Sequence, residues 1–76
     1  MNVLLSLSAY QMYRQQIRER VIELEIEHRD LDDVITRMSA APDRDDLQLR
    51  RLKKRKLQLK DQLIALKMML VPDIPA

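Results

Sequence analysis

Hydrophobic residues recur along most of this chain at alternating steps of three and four positions. This spacing puts them on one side of an α-helix and is typical of helices that pack at a shallow angle. Only Arg14, His28 and Lys56 interrupt the two stripes with polar side chains. The pattern therefore predicts two helices that meet along these stripes, a line of contact that we call the seam. The first stripe consists of Val3, Leu7, Tyr10, Arg14, Ile17, Val21, Leu24, His28, Leu31, Ile35 and Met38, and the second of Leu49, Leu52, Lys56, Leu59, Leu63, Leu66 and Leu70.

The segment between the two stripes favours a turn. Pro42 disfavours helical geometry at the residue before it, so we expect the first helix to end near Ser39. Asp43 is the expected N-cap of the second helix, and Pro72 ends that helix. The sequence predicts a single domain over residues 1–76, with a helix at about 3–39, a loop at about 40–43, a helix at about 44–70 and an extended tail at 71–76.

A short loop between two long helices predicts an all-α fold, namely an antiparallel two-helix hairpin of coiled-coil type. Acidic residues beside the first stripe and basic residues beside the second indicate its register. Each exposed ion pair contributes only about 0.2–1 kcal/mol, so these pairs tune the register and do not drive folding. This register puts the turn at residues 41–43 and Arg14 opposite Leu70. The predicted pairs are Asp32 with Lys53, Glu25 with Lys60, and Glu27 with Arg55.

The predicted register leaves two groups of apolar residues without a partner. One group precedes Arg14 and extends past the end of the second helix, and the other lies on the outer faces of both helices. Such residues need another partner. We expect two hairpins to pair into a four-helix bundle, as a homodimer. The alternatives are that the N-terminal segment folds back over its own hairpin, or that a foreign protein covers these residues. The candidate interface residues are Val3, Leu4, Leu7 and Tyr10 in the first group and Ile22, Ile26, Leu57, Ile64 and Met68 in the second.

The composition excludes several classes of function. The 76 residues include no Gly and no Cys, so phosphate-binding glycine loops, thiol nucleophiles and thiolate metal sites are absent. Two helices rarely form the walled pocket of an enzyme, and we predict no catalytic residue, metal or cofactor. The N-terminus lacks the basic region of a signal peptide, and no segment approaches the roughly 20 apolar residues of a membrane span. We therefore expect a cytoplasmic protein that is not an enzyme.

Two segments of the chain carry a more specific pattern. The first, His28–Ile35, has the sequence His-Arg-Asp-Leu-Asp-Asp-Val-Ile, and the second, Leu52–Leu63, has the sequence Leu-Lys-Lys-Arg-Lys-Leu-Gln-Leu-Lys-Asp-Gln-Leu. Over about residues 24–66 the chain resembles the YdcH-like family of small bacterial proteins of unknown function. The resemblance implies a helical hairpin from a bacterium and brings no activity and no catalytic residues. Residues 1–20 lie outside it.

Two polar residues of the seam fall at the same level of the predicted hairpin. These are His28 and Lys56, and we interpret them as a polar layer that fixes the register. A carboxylate–histidine–carboxylate line of Glu25, His28 and Asp32 is the alternative reading of this region, since such a line could hold a metal ion. Without further ligands at the right spacing we favour the structural interpretation.

The charge of the chain is unevenly distributed. Residues 1–38 carry 5 Lys and Arg against 7 Asp and Glu, whereas residues 39–76 carry 9 against 5. The two halves therefore attract each other. The basic residues could also follow a phosphate backbone, although no aromatic residue lies near them for base stacking. The candidate nucleic-acid contacts are Arg50, Arg51, Lys53, Lys54 and Arg55.

The function that these features favour is a non-enzymatic protein–protein interaction module, which self-associates or docks on a partner protein. The alternative is a weak, non-specific nucleic-acid binder that uses the basic second helix. Salt dependence separates the two, because nucleic-acid binding weakens steeply with salt and an apolar interface does not.

Overall fold

The computed structural model describes the backbone of residues 3–71 and the side chains of residues 8–71. Two helices account for nearly all of this part of the chain, α1 from Val3–Ala40 and α2 from Asp46–Leu70. They pack against each other along their length, and the described residues form no strand. The predicted all-α hairpin is confirmed. Most of the predicted tail, residues 72–76, lies outside the described residues.

The loop differs from the predicted one in its length and in its cap. The predicted N-cap, Asp43, is wrong: Asp45 caps α2, and its side chain accepts a hydrogen bond from the backbone N–H of Gln48 at 3.1 Å. This cap keeps Arg44 in the loop, where the guanidinium contacts Asp46 at 3.1 Å and the Ser39 carbonyl at 3.3 Å. The loop therefore occupies residues 41–45 and α2 begins two residues later than expected.

The core of the hairpin follows the seam. Within the described side chains, every seam residue from Arg14 onward is buried or half-buried. Leu24 and Leu59 have no exposed surface, and each such side chain contributes about 1.5–3 kcal/mol by its burial. Heptad spacing therefore places the core correctly along both helices. The buried residues are Ile17, Val21, Leu24, Ile35, Leu49, Leu59 and Leu63.

Two contacts between the helices fix the register. Arg14 Nη2 donates a hydrogen bond to the Leu70 carbonyl at 3.1 Å, and Arg55 Nη2 meets Glu27 Oε1 at 3.0 Å. Both contacts agree with the predicted register. The guanidinium of Arg14 also places positive charge at the negative C-terminal end of α2. Residues 3–13 of α1 extend beyond this point, and we call them the overhang.

Two of the predicted ion pairs are wrong, those of Asp32 with Lys53 and of Glu25 with Lys60. Side chains on a helix lean toward the helix N-terminus. On the flank of Glu25 and Asp32, an acid and a base at the same level therefore lean apart, and they converge when the base lies further along α2; on the other flank, the longer Arg55 side chain still reaches Glu27 from an equal level. Both observed lysines lie further along α2 than the predicted ones. The observed pairs are Asp32 with Lys56 at 2.7 Å and Glu25 with Lys67 at 2.8 Å.

Candidate protein-interaction surface

The hairpin has two broad faces, one on each side of the seam. A shallow groove on one face is lined by both helices, with Arg29 from α1 and Ile64 from α2 among its residues. Ile22 precedes Arg29 by seven residues, and Leu57 precedes Ile64 by seven, which is about two helical turns. Residues two turns apart project in the same direction. Ile22 and Leu57 therefore project on the face that carries the groove.

Five aliphatic side chains on this side of the hairpin form what we call the outer apolar patch. Two of them, Ile26 and Met68, lie one turn beyond Ile22 and Ile64, toward the outer edges of the face. The exposed fractions of the five range from 50% to 70%. Exposed apolar clusters contributed by two elements are candidates for interaction sites. The patch consists of Ile22, Ile26, Leu57, Ile64 and Met68.

Val71 extends the outer apolar patch at the C-terminal end of α2. It is the C-cap of the helix, is 60% exposed and follows Ile64 by seven residues. Val71 falls in the predicted tail and so is not among the predicted interface residues. The seven-residue spacing from Leu57 through Ile64 was the signal that could have identified it.

Two ion pairs flank the groove on the patch side. The Lys67 ammonium, which donates a hydrogen bond to Glu25, lowers the pKa of that carboxyl group. The Lys56 ammonium does the same for the pKa of Asp32, and His28 adds a smaller contribution of the same sign. The groove along this face is therefore lined mostly by charged side chains, of which Arg29 and Lys60 make no ion pair within residues 8–71, and the apolar side chains lie toward the outer edges.

The opposite broad face differs in its apolar content. Its groove is lined by Glu27, Asp30, Leu31, Val34 and Arg55, and the Glu27–Arg55 ion pair lies across it. Val34 is exposed in this groove at 41%, and Met69, which follows Arg55 by fourteen residues and projects on the same face, is exposed at 49%. This face therefore offers a natural control for any test of the outer apolar patch.

The overhang carries further exposed apolar surface. Tyr10, Met12 and Tyr13 are exposed there, and Tyr10 was predicted as an interface residue. Arg14 lies over the Tyr10 ring at 5.7 Å from its centroid and donates a hydrogen bond to the hydroxyl at 3.3 Å. The side chains of the other three predicted residues lie outside the described ones; these are Val3, Leu4 and Leu7.

The two polar residues of the seam are both half-buried. Lys56 reaches the edge of the seam and pairs with Asp32, whereas His28 Nε2 is buried and makes no hydrogen bond within residues 8–71. Their role as a register-fixing layer stays a prediction. Across the described residues, no three His, Asp or Glu side chains lie close enough together to hold a metal ion.

The predicted nucleic-acid contacts are spread around α2. Arg55 is engaged by Glu27 on one broad face, and Arg50 and Lys53 line a cleft beside the loop with Ser39. Within the part of the chain that the structure describes, Arg50, Arg51, Lys53 and Lys54 make no ion pair and are exposed, whereas Arg55 makes one. The two tyrosines of the chain, Tyr10 and Tyr13, both lie on α1, so α2 offers no aromatic ring for base stacking.

Comparison with known proteins assigns the chain to a family. A family model described as a protein of unknown function, DUF465, matches residues 22–67. The chain therefore belongs to this family, and the resemblance to the YdcH-like proteins is consistent with that assignment. No curated protein and no solved structure shows significant similarity to the chain. Neither described helix has a stretch that is long and apolar enough to cross a membrane.

Proposed function

We propose that this protein is a non-enzymatic protein–protein interaction module of the cytoplasm, which uses the outer apolar patch to self-associate or to dock on a partner protein. The observation that carries the proposal is the exposure of Ile22, Leu57 and Ile64 on one broad face, with Ile26 and Met68 at its outer edges. The hairpin does not need these residues for its own seam. Covering them would remove apolar surface from water, at about 25 cal/mol per Å².

The extent of the family match supports the same proposal. The match over residues 22–67 lies within the paired part of the hairpin and includes four of the five patch residues, all except Met68. The overhang lies outside the match. An interaction through the patch is therefore a property that the matched region could carry without the overhang.

The experiment compares two matched substitutions. Ile26→Glu puts a charge in the outer apolar patch, and Val34→Glu puts the same charge on an exposed aliphatic residue of the opposite face. Sedimentation equilibrium at micromolar concentration gives the mass of each variant and of the unchanged chain. We expect Ile26→Glu to lower the mass and Val34→Glu to leave it unchanged, because a buried unpaired charge is unfavourable.

A pull-down of the tagged protein from its native cell tests the second form of the proposal, in which the patch docks on a partner protein. A partner that docks on the patch is lost with Ile26→Glu and retained with Val34→Glu. The proposal is wrong if the unchanged chain is monomeric throughout and Ile26→Glu removes no protein from the pull-down. Far-ultraviolet circular dichroism of both variants shows whether the hairpin is intact.

A second candidate function is weak, non-specific nucleic-acid binding through α2. The supporting observation is that Arg50, Arg51, Lys53 and Lys54 are exposed and make no ion pair within residues 8–71. Reversing Arg50 and Lys54 to Glu should then abolish nucleic-acid binding, and affinity for the unchanged chain should fall steeply with salt. Pull-downs with and without nuclease check this. If all these samples contain the same proteins and no nucleic acid, the second function is excluded.

A further inference from the structure

We infer that the occupant of the outer apolar patch is a second copy of this chain, packed so that α1 of each copy lies along α2 of the other, with both loops at the same end. This inference rests on the proposed function and specifies both the partner and its orientation. It follows from three properties of the patch face: the levels of its apolar residues, the charges around them, and its size.

The levels of the apolar residues fit this arrangement. A two-fold axis parallel to the hairpin places α1 of one copy beside α2 of the partner copy. The two helices then meet at the same level at which α1 and α2 meet within one copy. That level is fixed by the contacts of Arg14 with the Leu70 carbonyl and of Glu27 with Arg55. Ile26 then lies beside Leu57 of the partner copy, and Ile22 lies beside Ile64 of the partner copy. Each contact occurs twice in the dimer.

Apolar contacts alone do not choose the orientation. In an antiparallel dimer, α1 lies along the partner's α1 and α2 along the partner's α2. Ile22 would then meet Ile26 of the partner copy, and Leu57 would meet Ile64 of the partner copy, so the same side chains would still be covered. The choice between the two orientations depends on charge.

The charges favour the parallel orientation. Without the Glu27–Arg55 pair of the opposite face, residues 50–60 of α2 contain six Lys and Arg and no acid, whereas residues 24–34 of α1 contain four Asp and Glu and one Arg. In the parallel dimer these two segments lie against each other. In the antiparallel dimer, residues 50–60 lie along 61–71, where Asp61 and Lys67 cancel each other. Unlike net charges attract and set the orientation of a complex more than its affinity.

The patch face is large enough for a stable dimer. The molecule measures 64 × 27 × 15 Å, so its broad faces are its largest surfaces. A standard interface buries about 800 Å² per partner, and α2 with its 25 residues spans about 37 Å of a face 27 Å wide, so such a dimer would use most of this face. In a closed two-fold dimer, both copies use the same face, and the opposite face with the Glu27–Arg55 pair stays in water.

A single spin label on the full chain distinguishes the two orientations. The chain has no Cys, so Asp43→Cys in the loop provides a unique, exposed labelling site. Double electron–electron resonance measures the distance between the two labels of a dimer. The parallel dimer predicts a distance of about 20–30 Å, since packed helices lie about 10 Å apart and the labels add their own length. The antiparallel dimer predicts about 55 Å, because each loop lies about 28 Å from the patch centre at 1.5 Å per residue.

Each outcome has a defined meaning. A distance near 25 Å that disappears with Ile26→Glu and persists with Val34→Glu supports the inference. A distance near 55 Å in a protein of dimer mass contradicts the orientation and leaves the proposed function intact. Absence of dipolar coupling, together with a monomer mass at the concentration of the measurement, overturns the second copy as the occupant. The proposed function then rests only on the pull-down that tests for a docked partner protein.

Discussion

The two broad faces of the hairpin differ in what they expose, although both have charged flanks. Each face has cross-helix ion pairs between an acid of α1 and a base of α2. One face adds Ile22, Leu57 and Ile64, with Ile26 and Met68 at its outer edges, whereas the exposed aliphatic side chains of the opposite face include Val34 and Met69. Ion pairs beside the seam can therefore be explained by the hairpin alone, whereas the outer apolar patch cannot. The comparison separates the surface that the hairpin uses for folding from the outer apolar patch, for which we propose a role in association.

The first prediction concerns the hydrophobic core that the seam forms. Leu24 is fully buried in the core, and Leu24→Ala should lower the free energy of unfolding by about 2–5 kcal/mol through lost burial and a cavity. Chemical denaturation followed by circular dichroism measures this loss. The matched control is Leu47→Ala on α2, an exposed leucine outside the patch, which should cost less than about 0.5 kcal/mol. Equal losses for the two variants would contradict the assignment of the core.

The second prediction concerns the coupling of the patch to stability. If two copies must separate before they unfold, a tenfold dilution lowers the free energy of unfolding by about 1.4 kcal/mol per dimer. The melting temperature of the unchanged chain should therefore fall by several degrees on tenfold dilution. Ile64→Glu should remove this concentration dependence, because it introduces charge into the patch. A melting temperature that is independent of concentration in the unchanged chain would contradict the prediction.

The third prediction concerns Lys56, a polar residue of the seam, and its effect on the stability of the hairpin. Lys56 is half-buried between two leucines of the second stripe, and its ammonium forms a partly exposed ion pair with Asp32. Lys56→Leu should raise the free energy of unfolding by about 1 kcal/mol, since the added apolar burial exceeds the value of the pair. Thermal unfolding measures this change. A fall of several degrees in melting temperature, with an unchanged oligomeric state, would show that Lys56 makes a required contact.

Much of the fold could be predicted because a helical hairpin depends on periodicity. The spacing of apolar residues identifies the core, and the contact of Arg14 with Leu70 agrees with the register. The cap could not be assigned with equal certainty, because Asp43, Asp45 and Asp46 are chemically equivalent candidates within four positions. Only the packing of the loop, with Arg44 held by Asp46, distinguishes them.

The ion pairs show a second limit of the sequence. Pairing residues at equal levels ignores the lean of each side chain toward its own helix N-terminus, so Lys67 was missed as the partner of Glu25. The outer apolar patch was predicted residue by residue, since heptad positions also define the outer faces. The periodicity of a single chain does not show which molecule covers the patch.

The smallest expected effect concerns the acid dependence of the patch-side ion pairs. The pKa of Glu25 and that of Asp32 are lowered in the folded protein by Lys67 and Lys56. Their contribution to stability is therefore present above the ordinary carboxyl pKa and is lost over the acid range in which the pH falls through the lower, folded pKa.

Melting temperatures across this range test the sign of that dependence. Lys67→Gln should make the decline on acidification shallower, because Glu25 loses the partner that lowers its pKa. Lys60→Gln is the control, since Lys60 lines the same groove and makes no ion pair within residues 8–71. An equal change of slope in both variants would contradict the assignment of the lowered pKa to the Lys67 pair.

The most direct test of the association surface is the solvent accessibility of isoleucine methyl groups in solution. Nuclear magnetic resonance with a soluble paramagnetic probe measures it for each labelled isoleucine, and Ile17 and Ile35 in the core serve as buried references. At high protein concentration, we expect Ile22, Ile26 and Ile64 to be protected like the two references, and to become accessible on dilution. If these three methyl groups stay accessible at every concentration, while Ile17 and Ile35 remain protected, no second copy covers the outer apolar patch.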